Sequence, residues 1–323
     1  MATTVCAALL LAGCSSGLGS DPAERRPVVQ PAVALDGSYV VTWDGTGTRN
    51  GAPADDLNKA KNGWVFRTAC DQNGCVATGG SIVDPKNPTA PLKNVRVADY
   101  VDGRWVMVNV AEDAASCVGP DGAKHTSDGW SIWDIAVSGE TLSATVTTVG
   151  TDDCPSVDVM TPTFTRVEDA LPGFPIPDPA DQPPRATPAA AAFRGDYTLT
   201  RTRRDQPDAK AVTNHRVETS CLRGEDRCVT TSIHNDDGDA TVPFTEFTVY
   251  QFADGAFGRT SASADRTCDG GSAGIAAESE TLPLPSAATS TPLRSLTGEV
   301  VATFTGGCAG RVVDDVQYAL TSD

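Results

Sequence analysis

From Tyr39 onward, apolar and polar positions alternate: Tyr39, Val41 and Trp43 on one side, Ser38, Thr42 and Asp44 on the other. A period of two puts one face in a core and the other in water, as in a half-buried strand. The same pattern predicts strands at Trp64 to Ala69 and Cys75 to Thr78, joined by Asp71-Gln72-Asn73-Gly74, a good hairpin turn. Hairpins follow at Val95 to Val101 with Trp105 to Val110, and at Trp130 to Val137 with Leu142 to Val149; Met160 to Val167 closes the set. Between the first two strands, residues 45–63 are glycine-rich and polar and read as a long surface loop. About eight short strands with no helical period predict an all-β domain.

The pattern then starts again. Gly195-Asp196-Tyr197-Thr198-Leu199-Thr200 lies over Gly37-Ser38-Tyr39-Val40-Val41-Thr42. Cys70, Cys75, Cys117 and Cys154 are matched in spacing by Cys221, Cys228, Cys268 and Cys308, and Phe164 and Tyr318 each follow the last cysteine of their set by ten residues. A duplicated domain explains these coincidences. The expected fold is two tandem antiparallel β domains, barrel-like or sandwich, at residues 35–168 and 193–323. Residues 169–192 carry seven prolines and read as an extended, semi-rigid linker.

Hairpin geometry pairs Cys70 with Cys75 and Cys221 with Cys228, since each couple sits opposite at strand ends. That leaves Cys117 with Cys154 and Cys268 with Cys308. Disulfides on this scale imply an oxidising compartment. No cysteine couple has the two-residue spacing of a zinc site, and His125, His215 and His234 are scattered, so no metal and no cofactor is expected.

The first residues change the picture of location. Val5 to Ala12 is a short apolar run followed by Gly13 and Cys14, too short to span a bilayer and fit for a signal-peptide core. Leu11-Ala12-Gly13-Cys14 resembles the lipobox of bacterial lipoproteins, which implies cleavage before Cys14 and acylation of Cys14. Residues 1–13 are then a signal peptide, with the true start expected upstream because Met1 to Thr4 lacks a basic residue, and 14–34 a lipidated flexible stalk. The partner this implies is the outer face of the cell membrane, reached through an acyl anchor.

Formal net charge is -17. Residues 33–168 hold 18 acidic against 10 basic side chains and residues 193–323 hold 19 against 12, so neither half offers the basic face that nucleic acid requires. Gly270 to Gly274 matches a nucleophile-elbow pattern but follows Cys268-Asp269 in a loop context, and no acid, base and nucleophile set converges, so no catalytic residue is assigned. His234 to Asp239 fails the register of a calcium loop and reads as a hairpin turn.

Candidate ligand-binding residues are Trp43, Trp130, Trp133, Arg201 and Arg203. All five tryptophans lie in the first half; Trp130 and Trp133 point to opposite faces of one strand, so one can fill the core while the other meets a ligand or the second domain. At the position of Trp43 the second copy has Arg201, with Arg203 on the same face. A lipobox, a proline-rich linker and four-cysteine β domains that open on Gly-x-Tyr and close on Phe164-Thr165-Arg166 resemble actinobacterial, mycobacterial-type envelope lipoproteins. Their domains are similar to extracytoplasmic regions of some serine/threonine protein kinases. The resemblance implies a non-enzymatic binding or sensing module of the envelope, with an envelope protein or lipid as ligand. The alternatives are a lipocalin-like carrier of apolar molecules and, less favoured, an envelope hydrolase.

Overall fold

The structure, a computed structural model, describes residues 34–322 except 73, 85, 88, 120–121, 139–140, 169–172, 236–245, 268–272, 287, 289–290 and 307–308. Cys14 therefore lies outside the described residues, as do Cys268 and Cys308, most of the Gly270 to Gly274 loop and the Asp236 to Asp239 turn.

The first domain holds β1 (Gly37–Asp44), β2 (Gly47–Arg49), β3 (Ala52–Ala54), β4 (Lys59–Asp71), β5 (Gly74–Ser81), β6 (Lys93–Val101), β7 (Arg104–Val118), β8 (Lys124–Ser138), β9 (Thr141–Gly150), β10 (Ser156–Met160) and β11 (Thr163–Glu168). Eight of these strands form an antiparallel barrel, closed by β1 with β11 and by β11 with β9. Strands β10, β2 and β3 continue the sheet beyond the point of closure. The second domain is a closed eight-stranded barrel of β12 (Gly195–Arg203), β13 (Gln206–Cys221), β14 (Cys228–Asn235), β15 (Glu246–Ala253), β16 (Ala256–Thr267), β17 (Ala273–Pro283), β18 (Ser295–Gly306) and β19 (Gly310–Ser322).

The duplication is visible in the register. Val41 faces Phe164 as Leu199 faces Tyr318; Tyr39 faces Trp64 as Tyr197 faces His215; and Trp105 faces Tyr100 as Phe257 faces Phe252. Both opening tyrosines donate their hydroxyl to the carbonyl three residues back, Tyr39 to Asp36 at 2.9 Å and Tyr197 to Arg194 at 3.2 Å. Disulfides join Cys70 to Cys75, Cys117 to Cys154 and Cys221 to Cys228.

One expectation needs correction and another gains detail. The presumed surface loop at 45–63 contains a hairpin: Asn50 and Gly51 both have positive φ, 53° and 80°, the two-residue turn that an Asn-Gly pair favours, and it joins β2 to β3. The described part of the proline-rich segment, expected as an extended, semi-rigid linker, packs on both barrels, with Ala190 and Ala192 in the core of the second. Phe174 and Ile176 pack on Val65, and the Thr78 hydroxyl donates to the Pro177 carbonyl. A short 3-10 turn at Ala189–Ala192 then carries Phe193 into the second barrel, where its ring meets Tyr197, Phe257 and Tyr318 at 5.0 to 5.2 Å. Prolines fix the backbone of a strap as well as that of a spacer, and the apolar residues between them decide which it becomes.

The two barrels share an apolar contact. Trp130, Val149 and Val157 of the first pack with Leu222, Val229 and Val249 of the second. Arg223 donates from Nε to both Asp99 oxygens at 3.0 and 3.2 Å, with the two side chains only 14% and 11% exposed. Arg227 adds a pair to Asp128 at 3.3 Å and lies 5.9 Å from the centre of the Trp130 ring.

Candidate functional site

The two copies part company at one end of the barrel. In the second domain β19 runs unbroken and pairs with β12 from Asp196 to Arg203, sealing the wall. In the first domain the matching stretch is split into β10 and β11 at Thr161-Pro162. Proline has no N–H for the ladder, so the pairing stops there. Strand β1 pairs with β11 only as far as Thr42, while β10 turns to pair with β2 through Asp158 with Arg49 and Val159 with Thr48. The barrel wall opens between Trp43 and Met160.

A cavity of about 480 Å³ occupies this mouth. Its floor is Trp43 and Trp133, packed edge to face at 5.3 Å, with Val146 and Met160 beside them. Trp64 lies under Trp133 at 5.4 Å. Trp133 Nε1 donates to Ser131 Oγ at 2.8 Å, which fixes the indole and leaves the serine proton directed elsewhere. The rim comes from the β2–β3 excursion and β10. Arg49 donates from Nε to Asp158 at 3.2 Å and from Nη1 to Asp56 at 2.9 Å, while Leu57 tucks into the core below. Asn50 holds the hairpin in place by accepting from Val157 N–H at 2.8 Å and donating its own N–H to Val157 O at 2.7 Å. Asn58 and Thr148 complete the opening.

The corresponding end of the second barrel is filled by charge. By register Arg201 replaces Trp43, Arg259 replaces Met107, Glu280 replaces Trp133 and Glu278 replaces Ser131. Arg201 is hydrogen-bonded to Asp314 and lies 3.5 Å from Glu278; Arg259 binds Glu280 at 2.7 Å. Beneath them Tyr250 and Tyr318 share a hydroxyl contact of 2.7 Å, and burial raises the pKa of both. His215 stacks on His234 at 4.6 Å and contacts Ser232 through Nδ1 at 2.8 Å. Burial first, then the charges of His234 and Arg259, push the His215 pKa down to about 3, so it is neutral at ordinary pH.

The structure thus brings together Trp43 and Trp133 and separates the other candidates. Trp130 faces outward from the same strand into the interdomain contact. Arg201 is spent inside the second barrel, and Arg203 is exposed and paired with Asp205 at 3.0 Å. Arg49, Asp56, Asn58, Ser131 and Asp158 escaped the sequence reading. The Asn50-Gly51 turn and the interrupting Pro162 were the signals that could have led to them. Among the described residues no group of three His, Cys, Asp or Glu side chains could hold a metal, and no helix is long and apolar enough to cross a membrane.

The segment that builds this mouth is also the one with a recognised counterpart. Residues 30–181 match the PknI serine/threonine-protein kinase sensor domain family. That stretch takes in the whole first barrel and the start of the strap, just under half of the chain, and it ends before the second barrel. Among solved structures, the monomer form of the Mycobacterium tuberculosis PknI sensor domain is similar at 18% identity, covering 47% of this chain and 99% of that one, with a TM-score of 0.39. A putative outer membrane protein of Bacteroides fragilis is similar at 10% identity over 89% of this chain and 98% of that one, with a TM-score of 0.19. No curated protein matches the chain. The first domain is thus similar to a kinase sensor region, in line with the resemblance read from its four-cysteine pattern.

Proposed function

We propose that the chain is an extracytoplasmic, non-enzymatic sensing module, lipid-anchored at Cys14 to the outer face of the cell membrane, which takes its ligand in the mouth of the first barrel. The observation that carries this reading is the tryptophan-floored cavity under the β2–β3 hairpin, inside the segment that matches a kinase sensor family. Binding sites are usually concave, largely apolar and furnished with a few placed polar groups, and this mouth has that make-up. Three disulfides favour an oxidising compartment. The carrier reading is less favoured because both lumens are occupied by their own side chains: Trp64, Phe66 and Trp105 in the first, Phe193, Tyr250, Phe257 and Tyr318 in the second. Among the described residues these side chains take up the space in which a lipocalin-like barrel would hold an acyl chain.

Native mass spectrometry of the detergent-released protein from its own cells tests both halves of the proposal. The expected spectrum shows a diacylglyceryl-bearing N-terminus at Cys14, lost in Cys14→Ser, and a small bound molecule that is lost in Trp133→Phe or Asp158→Asn. A bound species that survives both mouth variants contradicts the assignment of the site.

A further inference from the structure

We infer that the ligand of the first barrel's mouth is a small saccharide, one or two sugar rings of a neutral glycan; this rests on reading the mouth as the ligand site. The rim mixes donors and acceptors in a way that few ligand classes use in full. Arg49 commits Nε and Nη1 to Asp158 and Asp56, leaving Nη2 to donate. Asp158 accepts from Arg49 on Oδ1, which leaves Oδ2 to accept. Ser131 accepts from Trp133 and retains a proton to donate, and Asn58 offers both roles through its amide. A sugar hydroxyl donates and accepts at once, so a ring bearing several of them satisfies both kinds of group. The parts of Trp43 and Trp133 that reach the cavity, 8% and 7% of each residue, supply an apolar floor for its C–H groups.

Other classes leave part of this equipment unpaired. An acidic ligand meets Asp56 and Asp158 against the lone Arg49, in a chain of net charge -17. An organic cation satisfies the carboxylates and the rings, yet it offers nothing to the donors of Arg49, Asn58 and Ser131, and buried donors without partners cost affinity. A fatty chain meets a floor backed by Trp64 behind Trp133 and leaves Arg49, Asn58, Ser131 and Asp158 without partners. The cavity of about 480 Å³ suits a small ligand and not a long polymer lying along a groove.

Saturation-transfer NMR on the folded two-domain chain decides the class. The probes are maltotriose, mannotriose, triacetylchitotriose and oligosaccharides released from its own envelope, beside choline and decanoate. At least one saccharide is expected to receive saturation through its ring C–H protons, with the signal reduced at least fivefold in Asp158→Asn and in Trp133→Phe. Thr148→Val, a rim change of nearly equal volume, guards against a variant that misfolds and is expected to weaken binding severalfold. Choline or decanoate binding that depends on Asp158 and Trp133, with no saccharide signal, overturns the sugar assignment and leaves the mouth as the site. Absence of any signal dependent on these residues overturns both.

Discussion

At the residue scale, one substitution pattern separates the two copies. An aromatic floor in the first barrel becomes a set of paired charges in the second, and His215 stands there at the position of Trp64. His215 is neutral when folded, with a pKa near 3 against 6.5 in the unfolded chain, so the unfolded state binds the proton first. Its contribution to stability is complete above pH 6.5 and is lost as pH falls below that value toward 3. Denaturant unfolding of the second domain is expected to become steadily easier as pH falls from 6.5 to 5, by on the order of 1 kcal/mol per pH unit from this group, and His215→Asn is expected to flatten that slope. An unchanged slope in the variant places the proton elsewhere. Trp43 and Trp133 could be chosen from sequence because tryptophan is rare and their alternation is clear. Arg49 and Asp158 could not, since a charged residue in a polar stretch carries no sign of the distant strand it will meet.

At the element scale, strand alternation and cysteine spacing carried most of the fold. Seven of the strands sit where period-two patterns and hairpin turns indicated, and the short staples close hairpins as expected. What escaped was the β2–β3 hairpin, whose strands of three residues are too short for alternation to register, and the break at Pro162, whose effect is to open a wall rather than end a domain. The long staple should matter more than the short one. Removing Cys117–Cys154, with a separation of 37, is expected to cost about 4 kcal/mol and removing Cys70–Cys75, with a separation of 5, about 2 kcal/mol, in the chain-entropy account. Equal losses for Cys117→Ala/Cys154→Ala and Cys70→Ala/Cys75→Ala contradict that ordering. The strands that lead into Cys268 and Cys308 flank β17 as those around Cys117 and Cys154 flank β8. Peptide mapping without reductant is expected to join Cys268 to Cys308.

At the scale of the whole molecule, the ligand mouth and the interdomain contact are two faces of the same strands. Ser131 and Trp133 of β8, Thr148 of β9 and Asp158 of β10 line the cavity, while Trp130, Val149 and Val157 from those strands pack against the second barrel. A shift of these strands is felt on both sides, because packed side chains transmit displacement. The buried Arg223–Asp99 pair locks the arrangement. Asp99→Ala strands a buried cation and is expected to weaken docking by about 3 kcal/mol, whereas Asp99→Leu with Arg223→Met is expected to recover most of it. Small-angle scattering reads the outcome as expansion in the first variant and compaction in the second. None of this contact was legible in sequence beyond the outward Trp130, since neither copy announces which face meets the other. The most direct test of the sensing account follows the five indole N–H signals of the ¹⁵N-labelled chain while the envelope oligosaccharides are added. Trp43 and Trp133 are expected to shift saturably while Trp105, deeper in the lumen, stays in place; binding that leaves both Trp43 and Trp133 unmoved contradicts it.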